Sequence, residues 1–143
     1  MTFPRSVAAC GLALVLMVVG SFGPWAKILG TVTISGTDNG KDGWVVLGAA
    51  IGAAVFLLIA VLTRMGWFAL GGLIAGVIAG GTTVYDVRDI NGVGDGSVAS
   101  AEWGIYIAMA GSFALILCSI WAIVEVRKPV PADAPPAPAP PTS

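Results

Sequence analysis

Four long apolar segments, none with an ionisable side chain in its interior, constrain this chain more than any other feature of its sequence. They cover residues 7–23, 44–63, 66–85 and 104–124. A helix needs about 20 consecutive apolar residues to cross the hydrocarbon core of a bilayer, and each segment approaches that length. We therefore predict an all-α membrane protein, a bundle of four transmembrane helices whose outer loops carry short strand-like segments.

The composition agrees with residence in a lipid bilayer. Hydrophobic residues make up 57% of the chain and charged residues 10%, whereas a typical soluble domain has about 25% charged residues. The net charge of −1 provides no basic face for nucleic acid, so we expect none as a partner. We predict one transmembrane domain over residues 1–126. The Pro/Ala-rich residues 127–143 are predicted to be a disordered tail, which serves either as a spacer or as a docking segment.

Basic residues near the ends of the apolar segments indicate the orientation. Arg5, Arg64, Arg127 and Lys128 fall on one side, and Lys27, Lys41 and Arg88 on the other. The first set lies close to the ends of the spans, where the positive-inside rule applies best. We therefore expect both termini in the cytoplasm of a multi-pass protein of the cell membrane. Residues 1–23 also fit a cleaved signal peptide, but Pro24 and the length of the apolar run favour an uncleaved span.

Tryptophan lies near every predicted boundary. Trp25, Trp44 and Trp103 mark the outer ends of the spans, and Trp67 and Trp121 mark the inner ends. Because the indole ring is apolar while its N–H prefers a polar environment, tryptophan concentrates at the membrane–water interface. We interpret all five as membrane-interface anchors.

Small residues at helical spacing predict how the spans pack. Gly48 and Gly52 lie four apart in the second span, and Gly72, Gly76 and Gly80 lie four apart in the third. Residues at this spacing share one helix face, and small side chains let two backbones approach closely. The short connection between these spans makes them an antiparallel hairpin, so we expect the two glycine faces to pack together. Packing of the same faces between two chains remains an alternative.

The loops on the outer side carry strand and turn patterns. After Pro24 ends the first span, residues 28–35 alternate β-branched and polar side chains, which is typical of a half-buried strand. The following GTDNGKDG has the composition of a turn. The second outer loop repeats this order with NGVGDG and a short extended piece before Trp103. We predict that both loops contribute short strands to a small sheet over the outer ends of the helices.

The first loop also carries a family resemblance. The series GSFGPWAKILGTVTISGTDNGKDGWVVLG, followed by VYDV and EWGIYIA, resembles a group of small four-span membrane proteins of actinobacteria. Members share a Pro-Trp after the first span, an SG-T-D turn and a D-G before the second span. That group has no assigned biochemical activity, so the resemblance implies location and topology but no mechanism.

Residues for catalysis or cofactor binding are scarce in this sequence. The chain has no histidine, which argues against bis-His haem, His-centred acid–base catalysis and most zinc sites. Cys10 and Cys118 lie in apolar runs, where thiols act as small hydrophobes, and no disulfide can be read from them. The DNGKDG stretch resembles a calcium loop but has no Glu at its twelfth position, so a turn is the favoured reading. We predict no cofactor, metal site or catalytic residue.

The spans also lack the carboxylate on which proton-coupled transport generally depends. We therefore expect a non-enzymatic membrane protein that acts through protein or lipid contacts, as an accessory subunit or scaffold of a cell-envelope complex. Its partners would be the lipid bilayer and either further copies of the chain or a larger membrane complex. The alternative is a small oligomeric channel or transporter.

Overall fold

A computed structural model describes residues 5–38, 42–63, 67, 69–92 and 98–126. The tail, most of the NGVGDG turn and part of DNGKDG lie outside these residues, and so do their predicted roles. The elements in chain order are α1 (Arg5–Phe22), β1 (Pro24–Ile28), β2 (Val32–Ser35), α2 (Gly43–Thr63), α3 (Ala69–Gly92), β3 (Ala99–Ala101) and α4 (Trp103–Val126). All four helices are long and apolar enough to cross a membrane, which confirms that part of the prediction.

The helices form a ring in the order α1, α2, α3, α4, with each packed against two neighbours. The first and last helices of the chain are therefore adjacent, and their contact is the most extensive of the four. Fully buried side chains from three helices, Met17, Val46, Ile105 and Leu115, fill the interior. Protein side chains thus fill the centre of the ring apart from a cavity of about 30 Å³.

Glycines allow the backbones of α1 and α4 to approach closely. A side chain at Gly20 would collide with the backbone of Ala108, and one at Gly111 would lie 2.8 Å from the Met17 nitrogen. Close backbone approach raises the number of van der Waals contacts per turn, which is the main source of helix association in lipid. No local pattern in the sequence indicates this contact between the first and last helices.

Helix α3 is longer than the predicted span. It continues seven residues past the expected end at Tyr85, to Gly92. The physical reason is that Thr83, Val87 and Ile90 extend the helical period of its packed face: Thr83 is buried, and the other two pack against the core. Such a face stabilises a helix even where charged residues follow its apolar span.

A three-stranded antiparallel sheet lies where α1 ends and where α2 and α4 begin, in the order β2-β1-β3. Because β1 and β2 come from the first loop and β3 from the second, the predicted sheet of strands from both loops is confirmed. The alternating stretch of residues 28–35 is not one continuous strand, because a turn falls within it. Leu29 and Gly30 both have positive φ, 50° and 70°, and Thr31 N donates to Ile28 O at 3.1 Å. This tight turn divides the stretch into a hairpin.

The structure corrects the prediction for Trp25, one of the five expected interface anchors. Its side chain is only 4% exposed, and its indole Nε1 donates to the Gly20 carbonyl at 2.8 Å. The last carbonyls of a helix have no partner within that helix. Trp25 supplies one to α1, because β1 begins directly after the helix and carries the indole back over its end. It is a buried capping residue and not a lipid-facing anchor.

Cys10 and Cys118 are joined by a disulfide between α1 and α4, with their Cα atoms 5.6 Å apart. The interpretation of these residues as small buried hydrophobes is therefore incomplete. The two side chains are indeed buried, but in the folded protein they are also covalently bonded. Their separation of 108 residues hides this pairing from any local reading of the sequence.

Candidate interaction surface

The three glycines of α3 lie against α4. A Cβ at Gly76 would meet the Ile116 side chain at 2.8 Å and the Ser112 carbonyl oxygen at 3.1 Å. Gly72 faces Ser119 in the same way, and Gly80 faces Ser112 at a looser 3.6 Å. The structure thus uses this face for close helix packing, with a partner other than the expected α2.

The two glycines of α2 have no such contact. Apart from the chain neighbours and the nearby backbone of α2 itself, no atom of the described residues lies within 4 Å of a Cβ built at Gly48 or at Gly52. Gly48 is exposed and Gly52 is half-buried. The side of α2 that packs inward carries Val46, Ala50 and Ala53 instead. Gly48 and Gly52 therefore form an open glycine face on the outside of the helix ring.

One aromatic ring of α2 lies directly against the backbone of α3. Phe56 lies directly over Gly71, where a Cβ would collide with the ring. Because Gly71 has no side chain, the ring can sit against the α3 backbone. The small size of Gly71 therefore sets how closely the two helices approach at this point.

A groove of about 310 Å³ runs between these helices and borders the open glycine face. We call it the α2–α3 groove. Its lining residues are all apolar: Ala49, Gly52, Phe56, Gly71, Ile74, Ala75 and Ile78. The small members are buried or half-buried and form its floor, while Phe56, Ile74 and Ile78 are exposed and form its walls. The groove has the shape and chemistry to receive an apolar rod or chain.

Sequence reasoning identified Gly52 but missed the rest of this groove. A signal was present, since Gly71, Ala75 and Ile78 follow helical spacing, and Gly71 and Ala75 each lie one position before a glycine of the stripe. The stripe is recognisable because its three glycines recur at a regular spacing. The row of Gly71, Ala75 and Ile78 is more varied in residue type, and only the position of Phe56 on α2 shows that this row lines the α2–α3 groove.

The four remaining tryptophans are on the outside of the molecule. Trp44, Trp67, Trp103 and Trp121 are 55%, 61%, 51% and 44% exposed. Trp44 and Trp103 lie at the end of the ring that carries the sheet, and Trp44 Nε1 donates to the Thr37 carbonyl at 2.9 Å. Trp67 and Trp121 lie towards the opposite end. Their role as interface anchors stays a prediction.

Polar groups inside the helix ring bond mainly to their own helices. Ser21 Oγ donates to Met17 O, Thr83 Oγ1 to Ala79 O, and Ser112 Oγ to Ala108 O, at 2.8, 3.0 and 2.8 Å. Asp38, at the start of the calcium-like stretch, accepts a hydrogen bond from Ser35 N at 2.9 Å, which is a turn contact. Among the described residues, no three His, Cys, Asp or Glu side chains come together as a metal site would require.

Comparisons of the chain with protein-family models, with curated proteins and with solved structures find no match. The geometry of the candidate interaction surface is therefore the basis for inferring its role. It comprises an open glycine face and an apolar groove, both on the outside of α2.

Proposed function

We propose that this chain is a non-enzymatic, multi-pass protein of the cell membrane that acts through contacts with other membrane proteins, as an accessory subunit or scaffold of a cell-envelope complex. In this proposal both termini are cytoplasmic and the sheet lies on the outer side. The four apolar helices support the membrane placement. We also propose that the chain is related to the small four-span actinobacterial proteins that its first loop resembles.

The observation that carries this proposal is the open glycine face of α2. A glycine in a helix interior destabilises it by about 1 kcal/mol relative to alanine. Gly76 offsets that cost by close packing on α4, but among the described residues Gly48 and Gly52 have no neighbour that would offset it. A contact from outside the chain would provide the missing packing energy.

The occupant we propose is a transmembrane helix of another protein, lying along Gly48 and Gly52 and reaching into the α2–α3 groove. In a bilayer, helices associate through close packing of small residues, because lipid tails are as apolar as the side chains. The groove is lined only by apolar residues, so it offers nothing to a charged or polar ligand. It therefore suits a helix that is itself apolar.

The test compares two glycine substitutions that are equivalent within the isolated chain. We expect Gly48→Leu to abolish co-purification of the partner from native lipid particles, because the leucine side chain fills the space the partner helix needs. Gly81→Leu is the matched control, since Gly81 is exposed on α3 and also has no atom within 4 Å of an added Cβ. Mass measurement of the purified particles identifies the partner.

Foreign chains lost only in Gly48→Leu support an accessory subunit, and identical copies lost only in that variant support the scaffold form. Equal recovery of the same partners from both variants and the unaltered protein contradicts the proposed surface. Particles that contain this chain alone in single copy contradict the function itself.

A further inference from the structure

The disulfide between Cys10 and Cys118 lies well inside the helix ring. Cys10 is about 8 Å along the axis from the first residue of α1, and Cys118 about 12 Å from the last residue of α4, at 1.5 Å per residue. The two residues are 3% and 6% exposed. Under the proposed topology the bond is therefore below the headgroups, in the half of the bilayer nearer the cytoplasm.

The surroundings of this bond are apolar. A cavity of about 30 Å³ adjoins Cys10 and is lined by residues of all four helices, among them Ala53, Gly72 and Leu115. Apart from Cys10 itself, Ser119 is the one lining residue with a polar side chain. A water molecule in a protein interior needs two to four polar partners, so this cavity does not favour one.

Chemical attack on a disulfide requires a thiolate. Exchange proceeds when an ionised thiol reaches one of the sulfur atoms. Bringing such an anion into an apolar interior costs far more free energy than thermal motion supplies, unless it is paired with an opposite charge. Within the part of the chain that the structure describes, the residues that line the cavity carry no charge to pair with it.

We propose that the Cys10–Cys118 bond is a permanent covalent link between the first and last helices, insulated from water-soluble thiols by the helices and lipid around it. This inference rests on the proposed membrane topology for its insulation, but only on the packing of α1 and α4 for the bond itself. Cytoplasmic thiols normally keep cysteines reduced. Forming the bond removes two electrons and two protons from the thiols, which a thiol oxidant accepts before the four helices close around them. After closure the position of the bond, rather than the redox state of the compartment, decides whether it persists.

The link has a consequence for the whole ring. Each other neighbouring pair of helices, α1–α2, α2–α3 and α3–α4, is consecutive in the chain, whereas α1 and α4 are joined through the chain only by everything between them. The bond therefore closes the one contact in the ring that the backbone does not tether. With the bond in place, every helix is covalently linked to both of its neighbours, through a loop or through the disulfide.

The experiment measures gel mobility shifts with a maleimide-polymer reagent on the full-length protein in native membranes. Free thiols are first blocked with a small maleimide under denaturing conditions, then disulfides are reduced and labelled. We expect a double shift only after reduction in dodecyl sulfate. Intact membranes incubated with reduced glutathione before denaturation should give the same double shift, because the bond has survived. A soluble disulfide protein added to the same membranes must be reduced, as the control for glutathione activity.

Each unfavourable outcome has its own meaning. Blocking of both cysteines before any reductant is added shows that the bond is absent and overturns the proposal entirely. Loss of the double shift after glutathione treatment of intact membranes shows a bond without insulation and overturns the claim of permanence. The Cys10→Ser and Cys118→Ser variants calibrate the assay, since each has one cysteine that is blocked at the outset. Neither result depends on whether Gly48→Leu retains its partner.

Discussion

At the scale of single residues, Trp25 shows how one polar atom decides where an aromatic side chain goes. Tryptophan near a span boundary usually remains at the interface, where its N–H is hydrated. Trp25 instead donates that N–H to Gly20 at the end of α1. The donor is satisfied inside the protein, so the ring can be buried against Gly36 and the hairpin.

We predict that Trp25→Phe destabilises the protein by about 0.5–1.5 kcal/mol, the usual net contribution of one hydrogen bond. The substitution removes the indole donor and keeps an aromatic ring in place, while the Gly20 carbonyl retains its hydrogen bond from Gly23 N at 3.2 Å. The measurement is unfolding by denaturant in detergent. Trp121→Phe is the control, since Trp121 is 44% exposed, and it should change stability by less than about 0.5 kcal/mol. An equal loss of stability in the two variants would contradict a stabilising role for the hydrogen bond between Trp25 and Gly20.

The residues also show what could and could not be predicted from sequence. The spacing of Gly72, Gly76 and Gly80 indicated a packed helix face, since spacing is a property of one helix. The partner of that face was not predictable from spacing, and the structure gives it to α4. Trp25 was misplaced because composition reports what a residue usually prefers, and its hydrogen bond depends on how the chain turns after Pro24.

At the scale of elements, the contact between α3 and α4 is set by glycine. Gly76 lies against Ile116 and the Ser112 carbonyl, with no room for a larger side chain. Backbone carbonyls cannot move aside without disturbing the helix to which they belong. This contact is therefore less tolerant of added volume than one between flexible side chains.

We predict that Gly76→Leu separates α3 from α4 and lowers stability by at least about 1–3 kcal/mol, the usual cost of overpacking a well-packed interior. Thermal unfolding in detergent, followed by tryptophan fluorescence, measures the effect. Gly81→Leu should leave the unfolding temperature almost unchanged, because an added Cβ there meets no atom within 4 Å. An unchanged transition in Gly76→Leu would contradict the packing described for these helices.

Elements differ in how clearly their sequences reveal them. The apolar runs of α2 and α4 are bounded by polar residues, and that of α1 by Arg5 and Pro24. Their predicted limits fall within two residues of those observed. Helix α3 extends beyond its apolar run because one of its faces, which includes Val87 and Ile90, stays packed against the core. The other faces of this part of the helix are polar, so the apolar run alone does not show it. The alternating pattern did not locate the turn between β1 and β2, because Leu29 adopts a left-handed conformation there. Non-glycine residues rarely take this conformation, which costs about 1–2 kcal/mol.

At the scale of the whole molecule, the order of the helices around the ring is the feature that the sequence indicates least. Short connections make α2 and α3 neighbours, but no local pattern indicates that α1 meets α4 through Gly20, Gly111 and a disulfide. These contacts join residues about 90 or more positions apart. They leave the outer side of α2 unoccupied, and this is the surface on which the proposed function depends.

The most direct test of the account is the sidedness of the chain in intact cells. Single cysteines at Thr33→Cys, on the exposed face of β2, and at Ser143→Cys, the last residue, are introduced into a Cys10→Ser/Cys118→Ser background. A membrane-impermeant maleimide is then applied before and after permeabilisation. The account predicts that Thr33→Cys reacts at once and Ser143→Cys only after permeabilisation. Labelling of both from outside, or of Ser143→Cys alone, would contradict four crossings with cytoplasmic termini.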